Sequence, residues 1–179
     1  MKIVKEAIFE KKIEELDAPI KLTAGLAIIQ NGSILLGHPT GSKWYGTYSI
    51  PKGEVEKGED LLSAAIRETR EEVGLTIDPK DIEDTEPRYI DYKDKAGQVY
   101  KRVYYFIVNP STPISSDALT PDKKEIDWAG FILKDKAAER IFWRLKPILD
   151  EMEEPEKEEK PTEEPAEETP EEGGGEFGL

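Results

Sequence analysis

Between Asp60 and Gly74 the chain carries the start and stop signals of a helix, and the helix they enclose bears three glutamates within about one turn. Asp60 suits the N-cap, where a short carboxylate accepts from open backbone N–H groups, and Gly74 suits the left-handed residue that ends a helix. At about 100° per residue, with Glu68 set at zero, Glu72 falls at about +40° and Glu71 at about −60°, so the three carboxylates share one arc. Leu62, Ala65, Ile66, Thr69 and Val73 cluster at roughly +60° to +160°, beside that arc. The pattern predicts a helix buried along one stripe, with the acids at the rim of a core. Arg67, four residues before Glu71, can hold that carboxylate in a charge-assisted hydrogen bond. Ala64 leaves space one turn below Glu68.

Like charges at this spacing cost roughly 0.2–0.5 kcal/mol per exposed pair, and more when half-buried. A bound divalent cation reverses the sign. The 179 residues include no Cys and a single His, His38, which excludes a disulfide framework, thiolate chemistry and thiolate metal sites, and disfavours a His-rich centre or a Ser-His-Asp triad. Any metal therefore rests on oxygens. Such a site suits Mg2+ or Mn2+, and Mg2+ keeps waters and phosphate oxygens among its ligands, the arrangement of phosphoryl chemistry. The competing reading of the same pattern is a solvated acidic helix face in an acidic protein.

Elsewhere strands dominate. Leu22 to Ile29 and Ile34 to Leu36 flank Asn31-Gly32, a dipeptide suited to a tight hairpin. Arg88 to Tyr92, Val99 to Val108 and Ile126 to Leu133 read as further strands, and Ala138, Ile141, Phe142, Leu145 and Leu149 as one face of a final helix from about Lys136 to Met152. Lys2 to Leu16 fits either period and stays open. Mixed strands with two helices predict an α+β or α/β/α fold. From Glu151 onward 13 Glu and two Lys give a net charge of −11, leaving only −3 for residues 1–150. Residues 1–152 are expected to form the folded domain and 153–179 a disordered acidic tail, too poor in apolar surface to offset chain entropy. No apolar stretch reaches membrane-spanning length and the start has no long apolar run, so the expected compartment is the cytoplasm.

Gly53, Glu59, Arg67-Glu68, Glu71-Glu72, Gly74 and Leu75, in that spacing, resemble the 23-residue signature of the Nudix hydrolases. Thr69 stands where that family often has an aliphatic residue. The resemblance extends more weakly to about residue 150 and does not cover the tail. It implies a three-layer α/β/α sandwich with a mixed β-sheet, and Mg2+-dependent hydrolysis of a nucleoside diphosphate derivative, with Mn2+ as a substitute. By motif position, Glu68, Glu71 and Glu72 would hold metal with help from the Gly53 carbonyl. Arg67 would orient a metal-binding Glu, and Glu59 and Gly74 would shape the loop and helix. Glu68 is the first choice for the general base; Glu125, just before a strand, resembles the loop acid that many relatives bring to the metals.

The segment from Trp44 to Gly53 resembles two branches that share Pro-Lys-Gly, the asymmetric diadenosine tetraphosphate hydrolases and the mRNA-decapping enzymes. Lys52 could meet an outer phosphate, and Trp44 or Tyr45 could stack on a base; core or rim packing is the plainer role for both aromatics. Long nucleic acid would want a basic track that this acidic chain lacks, which favours a small dinucleoside polyphosphate. The same chemistry on capped RNA, a nucleotide sugar, ADP-ribose or a nucleoside triphosphate is the first alternative; a non-catalytic nucleotide sensor recruiting a protein partner through the tail is the second. His38 reads as a polar strand end beside a proline turn, outside the site.

Overall fold

The computed structural model describes residues 19–82 and 84–152. The Lys2 to Leu16 stretch and the acidic tail lie outside the described residues. Strands β1 (Lys21–Gln30) and β2 (Ser33–Pro39) form the expected hairpin. Its turn residues Asn31 and Gly32 have φ of 48° and 68°, the positive pair that a two-residue hairpin turn demands. β3 (Lys52–Glu54), β4 (Arg88–Lys93), β5 (Val99–Val108) and β6 (Ile126–Leu133) complete one mixed sheet in the order β4-β5-β1-β2-β6. β1 and β5 run parallel, and the other pairs are antiparallel.

β1 is forked. Its Thr23, Ala24 and Gly25 pair with β3, and its far end pairs with β2 on the same edge. Gly25 permits the fork: a Cβ there would overlap the Pro51 carbonyl and the Lys52 side chain. The Leu26 N–H then bonds that carbonyl at 3.2 Å.

Helix α1 (Leu61–Val73) covers one face of the sheet, packing Leu61, Ala64, Ala65 and Val73 against Ala24, Leu26, Ile28 and Phe106. The other face buries Ala27, Val103 and Tyr105 under Ala137, Ile141, Leu145 and Ile148. Helices on both faces of the sheet give three layers with α+β character, as expected. Thr69 fits the apolar stripe because its hydroxyl bonds the Ala65 carbonyl at 2.8 Å, a way for a buried threonine in a helix to satisfy its polar atom.

Two expectations need correction. The single last helix is instead α2 (Lys134–Arg140), an extended step at Ile141 and Phe142, and a 3-10 helix from Trp143 to Glu151. The Arg140 carbonyl is taken by the N–H groups of Thr47 and Tyr48, both at 3.0 Å, and the Phe142 N–H bonds the Tyr48 carbonyl at 2.8 Å. Pro147, inside the later segment, supplies no N–H for an α ladder. The acid arc is also deeper than expected: with Leu61 and Ala64 buried, the buried face runs from about −40° to +140° on the same wheel. Glu68 and Glu72 stand inside that face, and only Glu71 lies at the rim.

Candidate active site

α1 is fixed at both ends. The Asp60 carboxylate accepts from the Ser63 N–H at 2.9 Å, and Gly74 closes the helix at φ 76°, its N–H bonded to the Arg70 carbonyl. A Cβ at Gly74 would collide with the Thr120 side chain. The loop after β5 uses that space: Thr120 N–H bonds the Val73 carbonyl at 2.9 Å and Asp122 N–H bonds the Glu72 carbonyl at 3.0 Å. Open carbonyls of the last helical turn thus anchor the loop that carries Glu125.

The Arg67 guanidinium gathers the acids. It forks onto Glu59 at 2.9 and 3.0 Å, reaches Glu68 at 2.7 Å and Glu71 at 3.3 Å, and bonds the Glu54 carbonyl of β3 at 2.9 Å. Bidentate and charge-assisted, this set fixes the helix to the loop before it and to β3. The Arg67 hydrogen bond holds the Glu59 carboxyl below its usual range, and Glu59 also accepts from the Glu56 N–H at 3.1 Å. Arg67 therefore orients Glu59 and Glu68 more closely than Glu71, the partner expected from sequence spacing.

β3 brings its backbone against the same helix. A Cβ at Gly53 would occupy the position of the Glu68 carboxylate, so only glycine allows that approach. The Lys52 N–H donates to Glu72 at 3.1 Å. Burial raises the Glu72 carboxyl to about 7, with Lys52 opposing and the charges of Glu68 and Glu125 adding. Burial also raises Glu68, against Arg67 and reinforced by Glu71 and Glu125. Gly53, Glu68, Glu71, Glu72 and Glu125 are thus brought together, with Glu125 exposed on its loop.

Among the described residues no three Asp, Glu or His side chains converge closely enough to hold a cation as they stand; Arg67 and the Lys52 N–H engage the carboxylates instead. The donor chemistry nevertheless fits a hard cation. All donors are oxygens, two carboxyls are destabilised by burial and mutual repulsion, and Gly53 leaves one of them against the backbone.

Across β3 lies a cluster that joins Lys52, already expected to meet phosphate, to two lysines of neighbouring strands. Gly25 pairs with Lys52 and Lys21 with Lys101, which places Lys21, Lys52 and Lys101 on the sheet face opposite Gly53. Burial lowers Lys52. Burial, then the charges of Lys52 and Lys21, lowers Lys101 to about 8. Glu54 pairs with Lys21 at 3.0 Å, and on the same strand as Lys21 the buried Thr23 hydroxyl has no hydrogen-bond partner among the described residues. Only the parallel β1–β5 register, joining positions 80 apart in the chain, could have revealed this group.

Trp44 and Tyr45 lie in the loop that leads from β2 into β3, half-exposed or more. Trp44 stacks on His38, and Tyr45 lies under the Arg140 guanidinium at 4.7 Å. His38 stands, as expected, at the end of β2 beside Pro39; what the sequence did not convey is that it is buried, with β6 bringing Asp127 to its Nδ1 at 2.5 Å.

The sequence profile of the NUDIX domain matches residues 19–152. "Nudix hydrolase 10" of Arabidopsis thaliana is 35% identical over 68 residues, covering 35% of this chain and 24% of that protein; the chain spans about a quarter of that relative's length. Among solved structures, a C. elegans Ap4A hydrolase binary complex superposes with a TM-score of 0.57 at 24% identity, over 72% of this chain and 93% of that one. A bifunctional NMN adenylyltransferase/ADP ribose pyrophosphatase from Francisella tularensis, complexed with AMP and Mn, gives 0.58 at 19% identity, over 82% and 46%. At these identities the structural likeness concerns the fold.

Proposed function

Because the chain belongs to the Nudix family of pyrophosphohydrolases, whose domain spans residues 19–152, we propose that it hydrolyses a phosphoanhydride bond in a nucleotide derivative, with diadenosine tetraphosphate or a similar dinucleoside polyphosphate as the favoured substrate. One observation carries this reading: carboxylates crowd one face of β3 while Lys21, Lys52 and Lys101 crowd the other. Two lysines driven below their ordinary range and an orphan Thr23 hydroxyl suit an anion longer than one diphosphate, part of it on the lysines and part on the acids' side.

Glu68, Glu71 and Glu72, with the Gly53 carbonyl, would hold Mg2+, or Mn2+ in its place. A divalent ion held there would supply charge neutralisation for a diphosphate and would lower the pKa of water. Arg67 keeps Glu68 in place, and Lys52 and Lys101 bind outer phosphates. Water adds to one phosphorus, the anhydride P–O bond breaks, the phosphate leaves with the bonding pair, and the proton passes to a carboxylate. Of the two candidates for that carboxylate, Glu125 suits the role better than Glu68: Arg67 grips Glu68 at 2.7 Å, whereas Glu125 is exposed and near enough for its charge to act on Glu68 and Glu72.

The test is Mg2+-dependent turnover against diadenosine tetraphosphate, nucleoside triphosphates, ADP-ribose, nucleotide sugars and a short capped RNA, with products separated by chromatography. Release of ATP and AMP from diadenosine tetraphosphate as the preferred reaction is expected. Preference for another member keeps the chemistry and overturns the substrate; no turnover with either Mg2+ or Mn2+ favours a non-catalytic nucleotide sensor.

A further inference from the structure

We propose that Trp44 is the stacking surface for the substrate's nucleobase and that His38 and Asp127 are the positioning residues that hold it there. The inference rests on the reading of the substrate as a nucleotide. His38 is 1% exposed, and each ring nitrogen faces an oxygen. Nδ1 meets Asp127 Oδ1 at 2.5 Å and Nε2 meets the Lys43 carbonyl at 3.1 Å. The Thr47 hydroxyl donates to that same carbonyl, closing the loop over the ring. Tyr48 meets the imidazole edge-on, with centroids 5.1 Å apart. Enclosed between Asp127, the Lys43 carbonyl and the edge of Tyr48, the ring is fixed in its plane.

Trp44 lies flat on that ring, 4.0 Å away and only 6° from parallel. One indole face is therefore covered by an immobile ring, yet Trp44 remains 51% exposed. Stability alone gives little reason for this: half-exposed indole gains limited burial, while burying an imidazole requires that its hydrogen bonds be met. A base stacked on the free indole face would extend an existing stack onto a plane already fixed, without the entropy cost of ordering a loose side chain. Tyr45 is less suited, since Arg140 already lies over its ring.

The test uses the full chain and follows tryptophan emission during titration with ATP and with ribose 5-phosphate, in the wild type and in Trp44→Phe. The difference between the two proteins isolates Trp44 from Trp128 and Trp143. ATP is expected to quench the Trp44 component, whereas ribose 5-phosphate, lacking a base, leaves it unchanged. In His38→Phe and Asp127→Ala the ATP midpoint and the KM for diadenosine tetraphosphate should rise on the order of 10-fold, the loss of about one base stack, with kcat nearly unchanged. His38→Asn, which keeps a donor toward Asp127, should recover part of the loss. Trp44 emission indifferent to ATP overturns the proposal, as does a KM that stays constant while kcat and thermal stability fall together. If His38→Phe does not fold, Asp127→Ala, at a partly exposed position, decides the same question. Quenching without hydrolysis would support the stack and overturn the enzymatic reading, and hydrolysis without quenching would do the reverse.

Discussion

A carboxyl raised to about 7 by burial makes Glu72 a stability liability at neutral pH. Below its ordinary value of 4.5, Glu72 is protonated folded or unfolded, and its contribution is at its most favourable. As pH rises the unfolded chain releases the proton first, so stability falls through the window up to about 7, by roughly 3 kcal/mol at 1.4 kcal/mol per unit. Calorimetry of the metal-free protein should therefore show Tm falling from pH 5 to pH 8. Glu72→Gln should flatten that decline and raise Tm at pH 8, while Mg2+-dependent turnover drops on the order of 1,000-fold, given the several kcal/mol a metal contributes. Unchanged turnover in Glu72→Gln would sink the metal assignment. Lys101 works in the opposite direction: lowered to about 8, it loses its charge above that pH and with it its grip on phosphate. KM should climb above about pH 8, and Lys101→Met should raise KM by about 10-fold and abolish that climb, the loss of one charged hydrogen bond. A KM that is flat in pH, or indifferent to the substitution, would remove Lys101 from the substrate's path.

Helix α1 shows what local signals can and cannot convey. Asp60, Gly74 and the acid arc were legible because each acts within a few residues of itself, through a cap, a left-handed turn or a 3.6-residue period. Depth was not legible. The position of Glu68 and Glu72 depends on β3, whose three residues have too little pattern to announce a strand and which is held by Gly25 from another part of the chain. The last helix failed for the same reason, since what ends it at Arg140 is a pair of N–H donors from Thr47 and Tyr48. Two substitutions separate cap from contact. Asp60→Ala, which removes the bond to the Ser63 N–H, should cost about 1 kcal/mol in denaturant unfolding and leave turnover near wild type. Gly53→Ala should do the reverse, retaining the fold through a local shift but displacing the Glu68 carboxylate, so that kcat falls and the Mg2+ requirement rises. Wild-type kinetics in Gly53→Ala would mean that the close approach has no role in the chemistry.

Across the whole molecule, charge is divided between parts that meet a polyanionic substrate differently. The described residues contain both cores, the carboxylates, the lysines and the aromatic stack, and among them no helix is long and apolar enough to cross a membrane. Residues 153–179 add 12 Glu and two Lys, most of the chain's net −14. The charge asymmetry was legible at once because it is compositional, whereas the lysine cluster depends on a parallel pairing that no local pattern encodes. The acids of α1, Gly53 of β3 and Glu125 all lie within 19–152, the span of the NUDIX domain, so deleting 153–179 should leave kcat within about twofold, whatever partner the tail has. Its charge should still be felt at a distance. An acidic segment repels incoming polyphosphate over about a Debye length, roughly 30 Å at 0.01 M salt and 3 Å at 1 M. The truncated chain should therefore show a lower KM for diadenosine tetraphosphate than the full chain at low ionic strength, with the two converging as salt is added. Loss of most of the activity on truncation would instead make the tail part of the catalytic unit, and a KM difference that persists in high salt would mean direct contact rather than a screened field.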